Sequence, residues 1–155
     1  MCIRDSYNRK MKFYPPHYLL TLSLCMLATW YFGETSSQTL PLILIGICLI
    51  GLGFLLAFNS ISRFIKAKTG VVPFSESTTL ITEGFYKYTR NPMYVGMNSF
   101  LLGLMLILKN PLNIIFLFIF FFIVRNMFVL KEEVQMEETF GEDYLTYKRK
   151  VRRWL

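Results

Sequence analysis

The chain has 155 residues, of which 54% are hydrophobic and 17% aromatic, and its formal net charge is +7. This apolar content exceeds what a soluble domain of one core needs, so the composition excludes an ordinary soluble domain and indicates a single membrane domain. Basic residues beside apolar spans that face anionic lipid explain the charge. No aromatic-interleaved basic stripe is long enough to indicate a nucleic-acid partner.

The N-terminal tail, residues 1–13, opens with the sequence MCIRDS. Neither an apolar core nor a small-residue cleavage site follows directly, so the opening does not resemble a signal peptide. Residues 1–6 are compatible with an assembly artefact and are left out of the fold prediction. The remaining residues, 14–155, are predicted to form one membrane domain.

Four stretches are apolar and nearly long enough, or long enough, to cross a bilayer as helices, which takes roughly 20 residues. The third is the shortest, and the tight turn at Asn110 and Pro111 predicts that it forms an antiparallel hairpin with the fourth. The polar sequence GETSSQT predicts a short turn between the first two. The predicted spans cover approximately residues 14–32, 40–58, 93–108 and 111–130.

The three cysteines and the single histidine do not form a recognisable site. Cys2, Cys25 and Cys48 stand far apart, and the last two lie in apolar runs, so packing roles are predicted for those two rather than disulfides or metal ligands. His17 follows two prolines at the start of the first span, which favours an interfacial role. We therefore expect no metal site.

Two stretches outside the spans are amphipathic. NSISRFIKAK, which follows the second span, and the segment beyond Gly141 each place an apolar face opposite a basic one. Both are predicted to lie along the inner membrane surface, although a soluble tail with scattered aromatics is an alternative for the C-terminal segment. The apolar face of that segment comprises Tyr144, Tyr147, Val151 and Trp154.

Lysine and arginine are distributed unevenly outside the spans. They precede the first span, lie between the second and third, and follow the fourth, whereas only Lys109 lies on the opposite side. The positive-inside rule therefore places both termini and the long central loop in the cytoplasm.

The stretch YTRNPMYVG leads into the third span. Asn91 is a good N-cap and Pro92 fits the first helical position, so this dipeptide predicts a helix start. The same dipeptide, Asn110–Pro111, opens the fourth span, so it indicates nothing more by itself. Arg90 has two open interpretations, an anchor among lipid phosphates and a residue of a functional site.

The third span rises away from Arg90, and the fourth descends to about the same depth just before Glu132 and Glu133. A guanidinium and two carboxylates are therefore expected to meet at the cytoplasmic mouth of the hairpin. The cluster is either a structural ion pair, with Lys131 or Arg125 as further partners, or a site for a small zwitterionic ligand. An arginine fork recognises carboxylates, and paired acids accept from ammonium and hydroxyl groups.

Four motifs in this order resemble the isoprenylcysteine carboxyl methyltransferase and phospholipid methyltransferase superfamily. They are LITEGFYKYTRNPMYVG, the Asn110–Pro111 turn, the acidic pair at 132 and 133, and FGEDYLTYKRKV. The resemblance implies an all-α integral membrane enzyme of about four transmembrane helices, with a cytoplasmic C-terminal helical segment closing the site. It also implies the cofactor S-adenosyl-L-methionine, a lipophilic or lipid substrate, and location in the bacterial inner membrane.

Carried over to this chain, the resemblance implies catalytic roles for Arg90 and Glu133. The implied cofactor-binding residues are Gly84, Tyr86, Asn91, Pro92, Tyr94, Gly96, Glu132, Glu133 and Tyr144. The segment after the acidic pair is matched by Phe140 and Gly141. Such enzymes lack the Rossmann-type cofactor fold, which agrees with the absence of a GxGxxG motif.

Asn91 stands where the carboxyl methyltransferase branch has histidine, so the acceptor stays open. We favour carboxylate O-methylation of isoprenylcysteine-like type, with N-methylation of a phospholipid or another amine as the alternative. A small four-span transporter or membrane scaffold is the non-enzyme alternative. Every aspartate and glutamate lies outside the predicted spans, which disfavours a proton-coupled transporter.

Overall fold

The computed structural model describes residues 13–32, 40–74 and 77–155, and every regular element in these ranges is helical. The tail up to residue 12, the polar turn 33–39 and residues 75–76 lie outside the described residues. The elements are α1 Pro15–Phe32, α2 Leu40–Lys66, a short 3-10 helix Gly84–Lys87, α3 Pro92–Leu108, α4 Pro111–Phe140 and α5 Glu142–Lys150. The all-α prediction is thus confirmed.

Helices α2 and α4 are long and apolar enough to cross a membrane, and α3, with 17 residues, is a shorter apolar helix. All four long helices begin within one residue of the predicted spans, but α2 runs on to Lys66 and α4 to Phe140. No glycine or proline interrupts the chain between Phe58 and Lys66. The stretch NSISRFIKAK therefore continues α2 as far as Lys66, and its predicted place along the inner membrane surface stays a prediction.

Helices α2 and α3 run antiparallel and touch through two facing pairs of glycines. A Cβ added at Gly103 would lie 2.5 Å from the carbonyl oxygen of Gly46, and one added at Gly96 would lie 2.8 Å from that of Gly53. Backbones approach so closely only where side chains are missing, which is typical of membrane helix packing. Within each helix the two glycines are seven residues apart rather than four, so the sequence contains no GxxxG motif.

A polar cluster joins α1 to the α3–α4 turn at one end of the bundle. The Thr29 hydroxyl donates to Asn113 Oδ1 at 2.6 Å, and Asn110 Nδ2 donates to the carbonyl of Thr29 at 3.2 Å. Asn110 also accepts a hydrogen bond from the backbone N–H of Leu112 at 3.0 Å, as its predicted capping role requires. The end of α1 and the tight turn therefore lie together, opposite the end where α3 begins.

Helix α4 changes to π geometry over Val124–Val129 and returns to α geometry at Leu130. A π turn holds more residues than an α turn, so it changes the face on which the following residues lie. This segment also supplies fully buried core residues, packed with Met26 of α1 and Leu101 of α3. The acidic pair follows directly after it.

The C-terminal segment folds back onto the start of α3. Gly141 has φ +53, in the left-handed region that favours glycine, and it separates α4 from α5. Tyr144 and Tyr147 of α5 are buried in the protein, and Trp154 packs on Phe121 with ring centroids 5.1 Å apart. The expectation that this apolar face lies on the membrane surface is therefore wrong, because the protein itself covers it.

Candidate functional site

A cavity of about 470 Å³ lies where α3 begins, and it combines a polar end with an apolar wall. The wall is formed by the first residues of α1, by the last turns of α2 and by the loop that follows α2. The polar lining around the start of α3 includes Tyr86, Arg90, Asn91, Tyr94, Glu132, Glu133, Tyr144 and Tyr147. Most of the predicted site residues therefore meet around one space.

Arg90 and Glu133 form the buried ion pair of this site. Arg90 Nη1 lies 3.2 Å from Glu133 Oε1, and each side chain is only 8% exposed. The backbone N–H of Arg90 donates to the carbonyl of Arg152 at 2.9 Å, which fixes the residue from the C-terminal segment. The predicted meeting of guanidinium and carboxylate at the mouth of the hairpin is confirmed.

Arg153 supplies a second guanidinium that the sequence predictions did not include. Its Nε donates to Glu133 Oε1 and its Nη2 to Glu133 Oε2, both at 2.8 Å. This is the bidentate geometry in which arginine binds carboxylates most strongly. The hydrogen bonds to Glu133 raise the pKa of Arg153, so this guanidinium stays charged.

Tyr144 joins the cluster from α5. Its hydroxyl oxygen accepts a hydrogen bond from Arg90 Nη1 at 3.3 Å. Burial, helped by the nearby charge of Glu133, raises the pKa of Tyr144 to about 12. The phenol is therefore protonated at physiological pH and retains a hydrogen to donate to a ligand.

The two members of the acidic pair have different partners. Glu132 accepts a hydrogen bond from the Tyr94 hydroxyl at 3.0 Å, whereas Glu133 is bound by the two arginines. Tyr147 donates to the carbonyl of Tyr86 at 2.7 Å and so ties α5 to the 3-10 helix. Glu132 therefore lines the cavity, and none of the contacts described here pairs it with a cation.

Asn91 occupies the position before α3, but its side chain does not cap the helix. Its Nδ2 instead donates to the carbonyl of Arg153 at 3.0 Å, and the Thr89 hydroxyl donates to the same oxygen at 3.1 Å. The helix starts at Pro92 as predicted. The predicted capping bond is wrong, because the Asn91 amide is turned to the C-terminal segment instead.

Three residues with implied cofactor roles lie outside the cavity lining. Gly84 has φ +63 and lies against the Arg63 guanidinium, where a side chain would collide. Pro92 is the buried first residue of α3, and Gly96 packs on Gly53. Their positions are explained by turn and packing geometry, so their cofactor roles stay predictions.

The family model for phospholipid methyltransferase matches residues 42–143, about two thirds of the chain. The chain belongs to the phospholipid methyltransferase family. It is similar to protein-S-isoprenylcysteine O-methyltransferase of Rattus norvegicus, with 27% identity over 75% of this chain and 39% of the relative. It is also similar to the same-named protein of Saccharomyces cerevisiae, with 32% identity over 61% of this chain and 38% of the relative.

A solved structure supports the fold of this family member. The eukaryotic intramembrane Ras methyltransferase, an isoprenylcysteine carboxyl methyltransferase, matches with a TM-score of 0.67 and 24% identity. The match covers 92% of this chain and 52% of the solved chain. The chain thus shares the fold of this intramembrane methyltransferase. It spans about two fifths of the length of the rat and yeast relatives and about half of the solved chain.

Arg153 was not predicted because it lies beyond the last of the four motifs, which ends at Val151, and because the fold alone brings it to Glu133. The sequence VRRWL gives no separate signal for Arg153, which is there one of the basic residues opposite the predicted apolar face. Thr89 and Tyr147 were missed for a similar reason, since their contacts are made across the fold rather than along the chain.

Proposed function

We propose that this family member transfers a methyl group from S-adenosyl-L-methionine to a lipophilic acceptor at the cytoplasmic face of the membrane. The favoured reaction is O-methylation of a carboxylate of isoprenylcysteine-like type. The supporting observation is the single cavity that joins the buried Arg90 cluster to an apolar wall from α1 and α2. The names of the curated relatives point to the same chemistry.

The residues at the polar end fit this cofactor. Arg90 and Arg153 share one carboxylate, Glu133, so the three groups together carry one net positive charge that suits a carboxylate ligand. Arg90 Nε is buried without a hydrogen-bond partner among the described residues, and leaving such a donor unpaired costs roughly 1–3 kcal/mol. Glu132 can accept from an ammonium or a ribose hydroxyl.

S-adenosyl-L-methionine supplies an electrophilic methyl group on its sulfonium when bound. Arg90 would orient a carboxylate, and the protonated Tyr144 would donate a second hydrogen bond beside it. A carboxylate acceptor is already an anion, so its reaction requires no base. The task of the chain is then alignment and exclusion of water, which the enclosed apolar wall supports.

The apolar wall suits the hydrocarbon part of the acceptor. Pro15 and Pro16 of α1 and Ala57, Ile61 and Phe64 of α2 belong to the cavity lining. Such a wall keeps a prenyl or acyl chain out of water, where each exposed methylene group would cost about 0.8 kcal/mol.

N-methylation of an amine is the second candidate, and the position of Glu132 favours it. This carboxylate lines the cavity and is engaged only by the Tyr94 phenol among the hydrogen bonds described above. An amine acceptor must lose a proton before it attacks, and Glu132 is placed to take it. Glu132→Gln removes a cofactor contact in both reactions, so it should lower O-methylation of a carboxylate moderately but abolish N-methylation.

The test uses purified protein in lipid with S-adenosyl-L-methionine labelled on the methyl group. Extracted lipids, an isoprenylcysteine analogue and an aminolipid serve as acceptors in parallel. We expect label in the isoprenylcysteine analogue that mild base releases, as a methyl ester must. Base-stable label in an aminolipid would instead establish the second candidate, and no transfer to any acceptor would contradict both.

A further inference from the structure

We propose that Arg153 is a positioning residue that acts through Glu133. Together they form a rigid fork that holds the Arg90 guanidinium at the cavity, and Glu133 serves the site by this fork rather than by contacting the ligand. The inference rests on the proposed function, and it revises the catalytic and cofactor-binding roles implied for Glu133. The three residues concerned come from three separate parts of the fold: the start of α3, α4 and the segment after α5.

The geometry at Glu133 supports a role in holding Arg90 rather than in contacting the ligand. Both of its oxygens accept from Arg153 at 2.8 Å, and Oε1 also lies 3.2 Å from Arg90 Nη1. Its side chain is 8% exposed, so little of the carboxylate is left for a ligand. Glu132, by contrast, accepts only from the Tyr94 phenol among the described residues, and it lies beside Glu133 in the cavity lining.

The backbone next to Arg153 fixes the same turn that carries Arg90. The carbonyl of Arg152 accepts from the Arg90 N–H at 2.9 Å. The carbonyl of Arg153 accepts from Thr89 Oγ1 and from Asn91 Nδ2, at 3.1 and 3.0 Å. The C-terminal segment therefore holds the turn by its backbone and Glu133 by its side chain, which sets the distance between Arg90 and Glu133.

Loss of the Arg153 fork has a definite consequence for Arg90. Glu133 would lose its bidentate partner while remaining buried, and the nearest remaining cation is Arg90. A buried carboxylate without full pairing is costly, so it would draw the Arg90 guanidinium into a closer pair. The guanidinium would then turn away from the ligand, and alignment would suffer even though the charge at the site remains.

The test compares Arg153→Lys, Arg153→Gln, Glu133→Gln and the Glu133→Gln/Arg153→Gln double variant. Arg149→Lys and Arg149→Gln are matched controls, because Arg149 is an exposed arginine on α5 that contacts only Thr146 and Glu142 in the described contacts. Methyl transfer and the thermal unfolding midpoint are measured for each in the same lipid. Phenylglyoxal modification of Arg90, mapped by mass spectrometry, gives a readout that needs no activity.

We expect Arg153→Lys to keep an unfolding midpoint near that of the controls while kcat falls about tenfold or more, because lysine keeps the charge but lacks the fork. The double variant should be about as active as the less active of the two single variants, because each single substitution already removes the same fork. Full activity in Arg153→Lys would overturn the proposal. Losses that multiply in the double variant would also overturn it, because Glu133 would then act on the ligand independently.

The proposed function can fail separately. If neither wild type nor the Arg149 controls transfer a methyl group, that function fails, and the positioning role is judged from phenylglyoxal alone. A rate of Arg90 modification that changes several-fold in Arg153→Lys but not in Arg149→Lys supports positioning. An unchanged rate overturns it.

Discussion

Arg90 is held by contacts from three different parts of the chain: a carboxylate of α4, a phenol of α5 and a backbone carbonyl after α5. Its side chain is only 8% exposed, so it is embedded in protein. An anchor among lipid phosphates would need an exposed guanidinium. The burial argues against the lipid anchor, and the role of Arg90 in a functional site remains our proposal.

The substitution Arg90→Lys tests the role of the Arg90 guanidinium in the functional site. Lysine keeps the positive charge but loses the planar fork, so membrane insertion should stay normal. Methyl transfer should fall steeply, by about a hundredfold, because small misplacements at a reacting centre are costly. Activity and membrane insertion are measured for Arg90→Lys and for the control Arg149→Lys. Near-normal turnover in Arg90→Lys would contradict a role of Arg90 in the functional site.

The pH dependence of methyl transfer discriminates between the acceptor classes. The pKa of Tyr144, about 12, keeps this phenol protonated throughout the working range, so it adds no titration. A carboxylate acceptor, with a pKa of roughly 3.5, adds no titration of its own between about pH 6 and 9. An amine with a pKa of roughly 8 to 10 predicts a rise of about tenfold per pH unit below that value. A rise in kcat/KM that continues above about pH 8 would therefore contradict carboxylate O-methylation.

Sequence could predict the meeting of Arg90 with the acidic pair because both flank a short helical hairpin, where rise per residue sets the depth. It could not predict Arg153, whose partner Glu133 lies 20 positions away across a helix, a glycine turn and a second helix. It also assigned Asn91 to a cap, since local chemistry favours one. The fold offered the Arg153 carbonyl instead.

At the scale of elements, the contact between α2 and α3 depends on facing glycines. The helix starts were predictable from apolar runs and the two Asn–Pro dipeptides. The seven-residue glycine spacing acquires meaning only when two particular helices are paired. The π segment Val124–Val129 likewise has no local signature in its sequence, although it carries the buried Val124 and Phe128.

Glycine-to-alanine substitutions test this helix contact. In Gly103→Ala the new methyl group would lie 2.5 Å from the Gly46 carbonyl oxygen, whereas at Gly51 nothing lies within 4 Å. Gly103→Ala should therefore destabilise the protein by roughly 1–3 kcal/mol, as overpacking does. Gly51→Ala, the control in the facing helix, should be neutral or gain up to about 1 kcal/mol from helix propensity. Equal unfolding midpoints for the two variants would contradict the close approach.

At the scale of the whole molecule, the polar cavity and the Thr29–Asn110–Asn113 cluster lie at opposite ends of the bundle. The arginines and lysines of the central loop and of the C-terminal segment belong to the cavity end, whereas Lys109 lies at the other. This arrangement supports a cytoplasmic cavity. Family membership and the match to an intramembrane methyltransferase support the same membrane frame.

Single-cysteine labelling tests the orientation. In a background without the natural cysteines, Ser36→Cys should react with an impermeant thiol reagent in intact cells. Ser77→Cys and Lys150→Cys should react only after the membrane is opened, because the positive-inside rule places both in the cytoplasm. Protection of position 36 in intact cells would reverse the topology and move the cavity to the other face.

We expect the cavity around Arg90 to bind S-adenosyl-L-methionine, and titration calorimetry on the purified protein in lipid nanodiscs measures this binding directly. We predict binding with one site per chain, weakened by about 1.5 to 3 kcal/mol in Arg90→Gln, the range for a hydrogen bond to a charged group. Arg149→Gln, with its contacts outside the cavity, should bind as the wild type does. Absence of binding, or equal affinity in Arg90→Gln and the wild type, would contradict the account.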